Sequence, residues 1–431
     1  MDSTWSQTVQ LPRFDPLPST LNTDVLVIGG GMAGLLCAYQ LARAGVDYVL
    51  LEADRIGSGI TKNTTAKITA QHGLIYDKLI REFGTERARL YLEANQAALA
   101  QYRALCQDIP CEFEEKASYV YSTDSRHKLD RELNALSRLR FPAQFVPDLP
   151  LPFPVAGAIK WNDQAQFHPL KFIAAIAKDL RIFERTKVLE LGPHRAVTTT
   201  GTVLADNIIV ATHFPMLNKH GGYFLKLYQH RSYVLALKNA PNVNGMYLDA
   251  DKSGLSFRNY RDLLLLGGGS HRTGRKGAGW QELEQFARRH YPDARETARW
   301  ATQDCMTLDG IPYVGPYSRR TAGLYVAAGF NKWGMTSSMA AATLLTDLIL
   351  GRENPYAAVF SPARTMLRPQ LAVNGWESAL GLLTPTVPRC PHMGCALKYN
   401  AAEHSWDCPC HGSRFEEDGT LIDNPATGGK R

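Results

Sequence analysis

The stretch Asp24 to Glu52, DVLVIGGGMAGLLCAYQLARAGVDYVLLE, constrains this chain most, because it reads as a nucleotide site that later segments must return to and complete. The apolar run Val25 to Ile28 predicts a buried parallel strand. Gly29, Gly31 and Gly34 follow in the spacing GxGxxG, and apolar residues at Leu35, Ala38, Leu41 and Ala42 then predict a helix. Gly29 suits the tight turn, Gly31 lets backbone amides approach a pyrophosphate, and Gly34 lets helix and strand pack closely. The helix start, with Met32 and Ala33, offers unpaired N–H groups and a partial positive charge to phosphates. A second strand, Tyr48 to Leu51, ends in Glu52, whose carboxylate can accept hydrogen bonds from a ribose. Glycine-rich turns are common, but strand, turn, helix, second strand and acidic residue in register predict a dinucleotide site.

At 431 residues the chain is too long for one core, and two or three domains are expected. The net charge of +7 is mild and the basic residues are dispersed, which argues against a nucleic-acid surface. The N-terminus MDSTWSQTVQLPRF lacks the layout of a signal peptide, and no apolar stretch reaches the ~18 residues of a membrane span, so a cytoplasmic protein is expected. Cys37, Cys106, Cys111 and Cys305 are scattered, whereas Cys390, Cys395, Cys408 and Cys410 crowd the tail. Clustered cysteine in a reducing compartment points to a metal site before a disulfide scaffold.

Residues 1–22 form a polar leader with Pro12, Pro16 and Pro18, read as a surface arm. Residues 76 to about 108 read as helical, with Tyr91, Asn95, Ala98, Tyr102 and Leu105 on one packing face. EFEEKASYVYSTD alternates like an antiparallel strand, and the proline-dense RFPAQFVPDLPLPFPV reads as a loop. LLLLGGGSHRTG is no second nucleotide turn, since Arg272 stands where the third glycine belongs. With no NAD(P)H motif evident, the reductant is expected to be the substrate itself.

The loop ADRIGSGITKNTTAKITAQHG after Glu52, the stretch KVLELGPHRAVTTTGTVLADNIIVATHFP and the late segment DGIPYVGPYSRRTAGLYVAAGFNKWGMTSS together resemble flavoproteins of the D-amino-acid oxidase, glycine oxidase and sarcosine oxidase superfamily. The resemblance covers residues 24–351 and implies FAD. It implies Thr61, Thr64 and Thr65 as cofactor neighbours, with Val188, Ala211 and Thr212 on the second chain pass. Asp309, Gly310, Pro312 and Gly315 match the late family element, and Gly329, Asn331, Gly334, Met335 and Thr336 would lie by the flavin. A helix starting near Gly334 would aim free N–H groups at the flavin pyrimidine. Cys305 is out of register with the cysteine that some relatives attach to flavin.

In the tail, Cys390-x-His392 and Cys408-x-x-His411 are separated by residues 393–407. Two thiolates and two imidazoles suit zinc as well as an iron–sulfur cluster. CPHMGC with CPCHGSRF, Trp406 and the Pro425 loop resembles Rieske [2Fe-2S] proteins. By that resemblance the cysteines hold one iron and the histidines the other, at a potential between about −150 and +300 mV. It likewise implies a disulfide between Cys395 and Cys410, and a hydrogen bond from Ser413 to a bridging sulfide. Residues 365–389 show no clear strand alternation, so the cluster lobe is expected to be pared down and supported by the body.

The expected fold is α/β: a Rossmann-like FAD-binding domain (23–95, 155–220, 300–352), an interleaved mixed-sheet substrate domain (96–154, 221–299), a connector (353–388) and a small all-β cluster lobe (389–431). The expected function is a dehydrogenase that oxidises a small amine or amino-acid-like substrate by hydride transfer to FAD, with electrons leaving singly through a Rieske [2Fe-2S] centre to a partner protein. Arg258 is a candidate for pairing with a substrate carboxylate, or for a structural ion pair. Tyr233, His271 and Lys332 are further catalytic candidates. The alternatives are reverse flow, in which a donor protein feeds the cluster and the flavin reduces an unsaturated compound, and an electron-carrier or redox-sensing module.

Overall fold

An all-apolar run belongs in the middle of a parallel sheet, where both faces are covered, and strand Leu21–Ile28 takes that place with Val25, Leu26 and Val27 fully buried. In the computed structural model, which describes residues 2–216, 220–385 and 387–430, it pairs in parallel with Tyr48–Leu51 on one side and Thr202–Val210 on the other. Leu324–Ala328 and Ile182–Phe183 extend the parallel set, and antiparallel strands complete an eight-stranded sheet. Helices Met32–Arg43 and Gly334–Ile349 pack against each other and against this sheet.

The second sheet has nine strands and is mixed. Leu227–Lys238 runs antiparallel between Leu263–Arg272 and Arg295–Thr307, and Glu114–Ser122 pairs with Gly157–Gln166 and Met246–Asp249. Three of these strands differ from the sequence-based division, which placed residues 23–95, 155–220 and 300–352 with the nucleotide-binding sheet. Lys67–Ile68, Gly157–Gln166 and Arg295–Thr307 all lie in the second sheet. Burial in Arg295–Thr307 alternates toward its C-terminal end, as in a half-covered edge strand rather than a parallel strand buried on both faces.

The expected helix over 76–108 is two, Tyr76–Phe83 and Thr85–Asp108, because Gly84 between them adopts φ 84°. Within the proline-dense loop a short strand, Gln144–Val146, pairs with Gly157–Gln166. The N-terminal leader is not a surface arm. Trp5 is fully buried, its indole N–H donates to Thr64 O at 2.7 Å, and its ring packs edge-on against Tyr260 and His168. Leu17 is buried further along, so two large apolar side chains pin a mostly polar segment.

The connector is helical where the sequence lacks strand alternation, with Ala357–Phe360 and Pro369–Leu383. Beyond it, Lys398–Asn400, Ser405–Asp407, Arg414–Phe415 and Leu421–Asp423 form a four-stranded antiparallel sheet. Too small for a core of its own size class, this lobe leans on the body. A Cβ at Gly381 would lie 2.6 Å from Cys410 Sγ, and one at Gly274 would lie 2.6 Å from Pro409, so helix and body touch the lobe directly. Arg231 of the second sheet pairs with Glu403. Arg414 donates to Glu403 at 2.8 Å, Asp407 at 3.1 Å and Asp423 at 3.1 Å.

Two stability outcomes follow from this packing. Trp5→Ala should cost about 3–5 kcal/mol through the cavity it opens, read as a lower denaturant midpoint and a weaker hold on the Thr64 loop. Arg231→Leu removes one cation from a buried network and should cost roughly 3 kcal/mol, with the lobe becoming sensitive to limited proteolysis while the parent resists.

Candidate functional site

The glycine turn is a close backbone contact. Gly29 has φ 110°, and a Cβ there would lie 2.6 Å from Ala211 O. A Cβ at Gly34 would fall 1.8 Å from Gly29 O, so no side chain fits between helix and strand. Gly31 is more open, its nearest neighbour being Thr61 Oγ1 at 3.4 Å, and Thr61 Oγ1 accepts from Met32 N at 3.0 Å. Glu52 Oε2 accepts from Gly30 N at 2.6 Å and Oε1 from Asp54 N at 2.9 Å. Burial raises the Glu52 carboxyl above its usual range, and those amides oppose the shift.

A cavity of about 680 Å³ opens from this turn. Gly29, Gly31, Met32, Ala33 and Glu52 line it, and so do Thr61, Thr64 and Thr65 from the following loop. Val188, Ala211 and Thr212 reach it from the second chain pass, and Gly334 and Met335 from the late helix. Both Met32–Arg43 and Gly334–Ile349 begin at the cavity with no acidic residue in the first turn and no side-chain cap, which suits a phosphate or another electron-rich ligand. The backbone cradle therefore fits a dinucleotide. Gly34 packs helix against strand and does not itself reach the cavity, and three of the expected cofactor neighbours also stand behind the wall. Gly329 is a close-packing position, Asn331 accepts from Thr307 N at 2.8 Å, and Thr336 Oγ1 donates to Thr69 O at 3.1 Å.

On the second-sheet side, Tyr233 and Lys332 line the cavity. Tyr233 Oη lies 3.0 Å from His271 Nε2 with the rings stacked, while His271 itself faces a neighbouring polar recess of about 390 Å³. The Tyr233 ring is fully buried edge-on against Trp280, and its phenol lies on the lobe side of the sheet and not in the cavity. Asn331 and Lys332 are consecutive left-handed residues, φ 50° and 73°, and the Asn331 amide donating to Gly329 O at 2.7 Å holds that turn. The turn projects Lys332 into the cavity, where Nζ donates to Ser232 Oγ at 2.9 Å and Ser270 Oγ at 2.6 Å.

Arg258 does not reach a substrate. Its guanidinium is buried behind the cofactor loop, donating to Thr65 O at 2.7 Å and Ala66 O at 2.9 Å, and lies over the Trp5 ring. Two carbonyls whose lone pairs point inward need a donor there, so Arg258 braces the loop from within. Lys67 takes the cavity-facing position that sequence reasoning missed, since a lysine in a polar Thr-rich loop carries no signal of its own. Cys305 lies in an apolar cluster away from the cavity wall, and burial raises its thiol.

The tail supplies another wall. Asp423, Asn424, Pro425 and Ala426 line the same cavity as the glycine turn. Asn424 Nδ2 donates to Thr212 O at 2.6 Å and Phe214 O at 2.9 Å. Gln229 Nε2 donates to His411 O at 2.8 Å and Gln303 Nε2 to Gly412 O at 2.8 Å, while His213 Nε2 lies 3.1 Å from Gln229 Oε1. A cavity-lining histidine is therefore one side chain away from the backbone of a candidate cluster ligand.

Within the lobe, His392 Nδ1 and His411 Nδ1 face each other at 3.3 Å. Burial lowers His392 to about 4 and His411 to about 3, leaving the neutral imidazoles that metal binding requires. A hydrogen bond between the Cys390 and Cys408 thiols holds Cys390 below its usual range. Cys395 and Cys410 form a disulfide. Cys408 Sγ lies within 4.8 Å of both disulfide sulfurs, but these are bonded to one another, which leaves Cys390 as its counterpart. Ser413 Oγ, beside Cys390, accepts from Ala426 N at 3.0 Å. Two thiols and two facing imidazole nitrogens fit a [2Fe-2S] cluster of Rieske type. No helix among the described residues is long and apolar enough to cross a membrane.

Comparison with known proteins agrees with both halves. Residues 24–348 match the FAD dependent oxidoreductase (DAO) family model, and residues 373–429 match the Rieske [2Fe-2S] domain. A Bacillus subtilis protein provisionally named the Rieske 2Fe-2S iron-sulfur protein YhfW is 36% identical, covering 98% of this chain and 95% of its own length. Gamma-glutamylputrescine oxidoreductase of Escherichia coli is 23% identical over 78% of this chain and 86% of its own. Among solved structures, glycine oxidase from Geobacillus kaustophilus superposes with a TM-score of 0.65 at 22% identity, over 80% of this chain and 99% of that one. L-Proline dehydrogenase from P. horikoshii gives 0.68 at 17%, over 81% and 98%. With its glycine turn, shared cavity and cysteine–histidine lobe, the chain belongs to the DAO family of FAD-dependent oxidoreductases and carries a C-terminal Rieske [2Fe-2S] domain.

Proposed function

We propose that the protein is a dehydrogenase that oxidises a small amine or amino-acid-like substrate by hydride transfer to FAD, with the electrons leaving singly through the Rieske cluster to a one-electron partner. The observation that carries this reading is the shared wall: residues Asp423 to Ala426 of the cluster lobe line the cavity that opens from the glycine turn. FAD accepts two electrons and the cluster one, so the pair converts a two-electron oxidation into single-electron delivery. The names of the relatives, gamma-glutamylputrescine oxidoreductase among them, support an amine or amino-acid substrate class.

In this reading the residues of the glycine turn and the Thr61–Thr65 loop hold FAD, and Cys390, Cys408, His392 and His411 ligate the cluster. The cavity continues past the turn to Ser256 and Gly267, and a small substrate would lie in that extension beside the second sheet, which a pure electron carrier would not need. Lys332, held by Ser232 and Ser270, is the group that would orient that substrate, whereas the Tyr233 phenol turns toward His271, Asn400 and Glu403.

The direction of flow is testable in one variant. Cys408→Ser should lose the Rieske EPR signal yet keep anaerobic bleaching of the flavin by substrate, while turnover with a one-electron acceptor falls at least tenfold. Unchanged acceptor turnover without the cluster would overturn the exit route. Gly34→Ala should purify with at least tenfold less flavin absorbance at equal protein, because the added methyl occupies the place of the Gly29 carbonyl. Normal flavin content would place the site elsewhere.

A further inference from the structure

Two ammonium groups face the cavity and neither has a carboxylate to receive it. Lys67 Nζ donates to Tyr247 O at 2.9 Å and Ser256 Oγ at 2.9 Å. Lys332 Nζ donates to Ser232 Oγ and Ser270 Oγ. Among the described residues no carboxylate oxygen lies within 4.0 Å of either nitrogen. An ammonium has three N–H donors, so each lysine uses two on neutral oxygens and keeps one for a ligand.

Lys67 is half-buried and Lys332 is exposed to the cavity, and the protein packed around them pulls both below the usual lysine range. Asp304 opposes that shift at Lys332 from beyond ion-pair distance, whereas the charge acting on Lys67 is Arg258, of like sign. Asp304 lines the same cavity but stands beyond 4.0 Å from Lys332, so an anion entering there would be the first to pair directly with either ammonium group.

The floor beside Lys67 is bare at one point: Ser256 lies opposite Gly267 in the sheet, and Gly267 adds no side chain where a ligand would lie. Ser256 and Ser270 are one strand and three residues apart, on the order of 10 Å at ordinary strand spacings. That span suits a short molecule with a charged group at each end.

We propose that the substrate is an acidic amine with two anionic groups, one received by Lys67 with Ser256 and the other by Lys332 with Ser232 and Ser270. This rests on reading the cavity as a flavin-dependent amine-oxidising site, and it adds the charge of the substrate.

The test uses the oxidised holoprotein under anaerobic conditions and needs no turnover. Succinate, glutarate, adipate, butyrate and glutaramide are titrated while the flavin spectrum is followed. At least one diacid should bind tenfold or more tighter than butyrate, and glutaramide should bind weakest. Lys67→Met should remove the advantage of the diacid, and Lys67→Arg should retain part of it. Equal affinity for diacid and monoacid would overturn the proposal. So would glutaramide matching glutarate, which would mean that Lys67 acts uncharged. A Lys332→Met variant with a changed flavin spectrum and unchanged diacid binding would assign that lysine to the flavin alone and overturn it as well. If diacids discriminate but no amine bleaches the flavin, the anion sites stand and the amine-oxidising reading fails. The converse result spares that reading.

Discussion

The contact between Gly34 and the Gly29 carbonyl, too close for any Cβ, is the constraint on which the rest of the molecule depends. It lets helix Met32–Arg43 start directly against the central strand, so the unpaired amides of its first turn open into the cavity. Every later segment is placed by returning to that point. Thr202–Val210 pairs beside the central strand and delivers Ala211 and Thr212, and Leu324–Ala328 pairs beside it in turn and delivers the late helix. The second sheet then closes the side on which a substrate would enter.

The cluster lobe is joined to this frame by chemistry that leaves it little freedom. Arg231, Glu403, Arg414 and Asp407 form a network with side chains almost wholly withdrawn from solvent. Buried charges penalise any geometry that separates them, because each would then face a medium of low polarity alone. Gln229, Gln303 and Asn424 add directional amide bonds at the cavity side of the same interface. The lobe is thereby fixed in orientation as well as in position.

Local pattern made much of this legible. The period and glycine spacing of Asp24–Glu52 predict strand, turn and helix, and the alternation in residues 114–122 predicts a strand that forms. The two halves of the tail, fifteen residues apart, carry their chemistry in the residue types themselves. Where reading failed, the cause was non-local. Arg258 and Lys67 are both cations near one loop, and only the packing decides which one faces the cavity and which one turns back to the Thr65 and Ala66 carbonyls. Trp5 looks like one aromatic in a polar leader until Tyr260, His168 and the Thr64 carbonyl surround it.

The sequence by itself determined the glycine turn and the cysteine–histidine spacing of the tail, because each depends on residues close in the chain whose spacing is dictated by backbone geometry. Tertiary structure decided what surrounds them. The cavity floor is assembled from Ser232, Ser256, Gly267 and Ser270, on three strands of one sheet, and no window of sequence contains that arrangement. The seating of the lobe against the flavin cavity likewise depends on pairs such as Arg231 with Glu403 and Asn424 with Thr212, far apart in the chain. Electrostatic and hydrogen-bond partners at that separation are chosen by the closing of the fold.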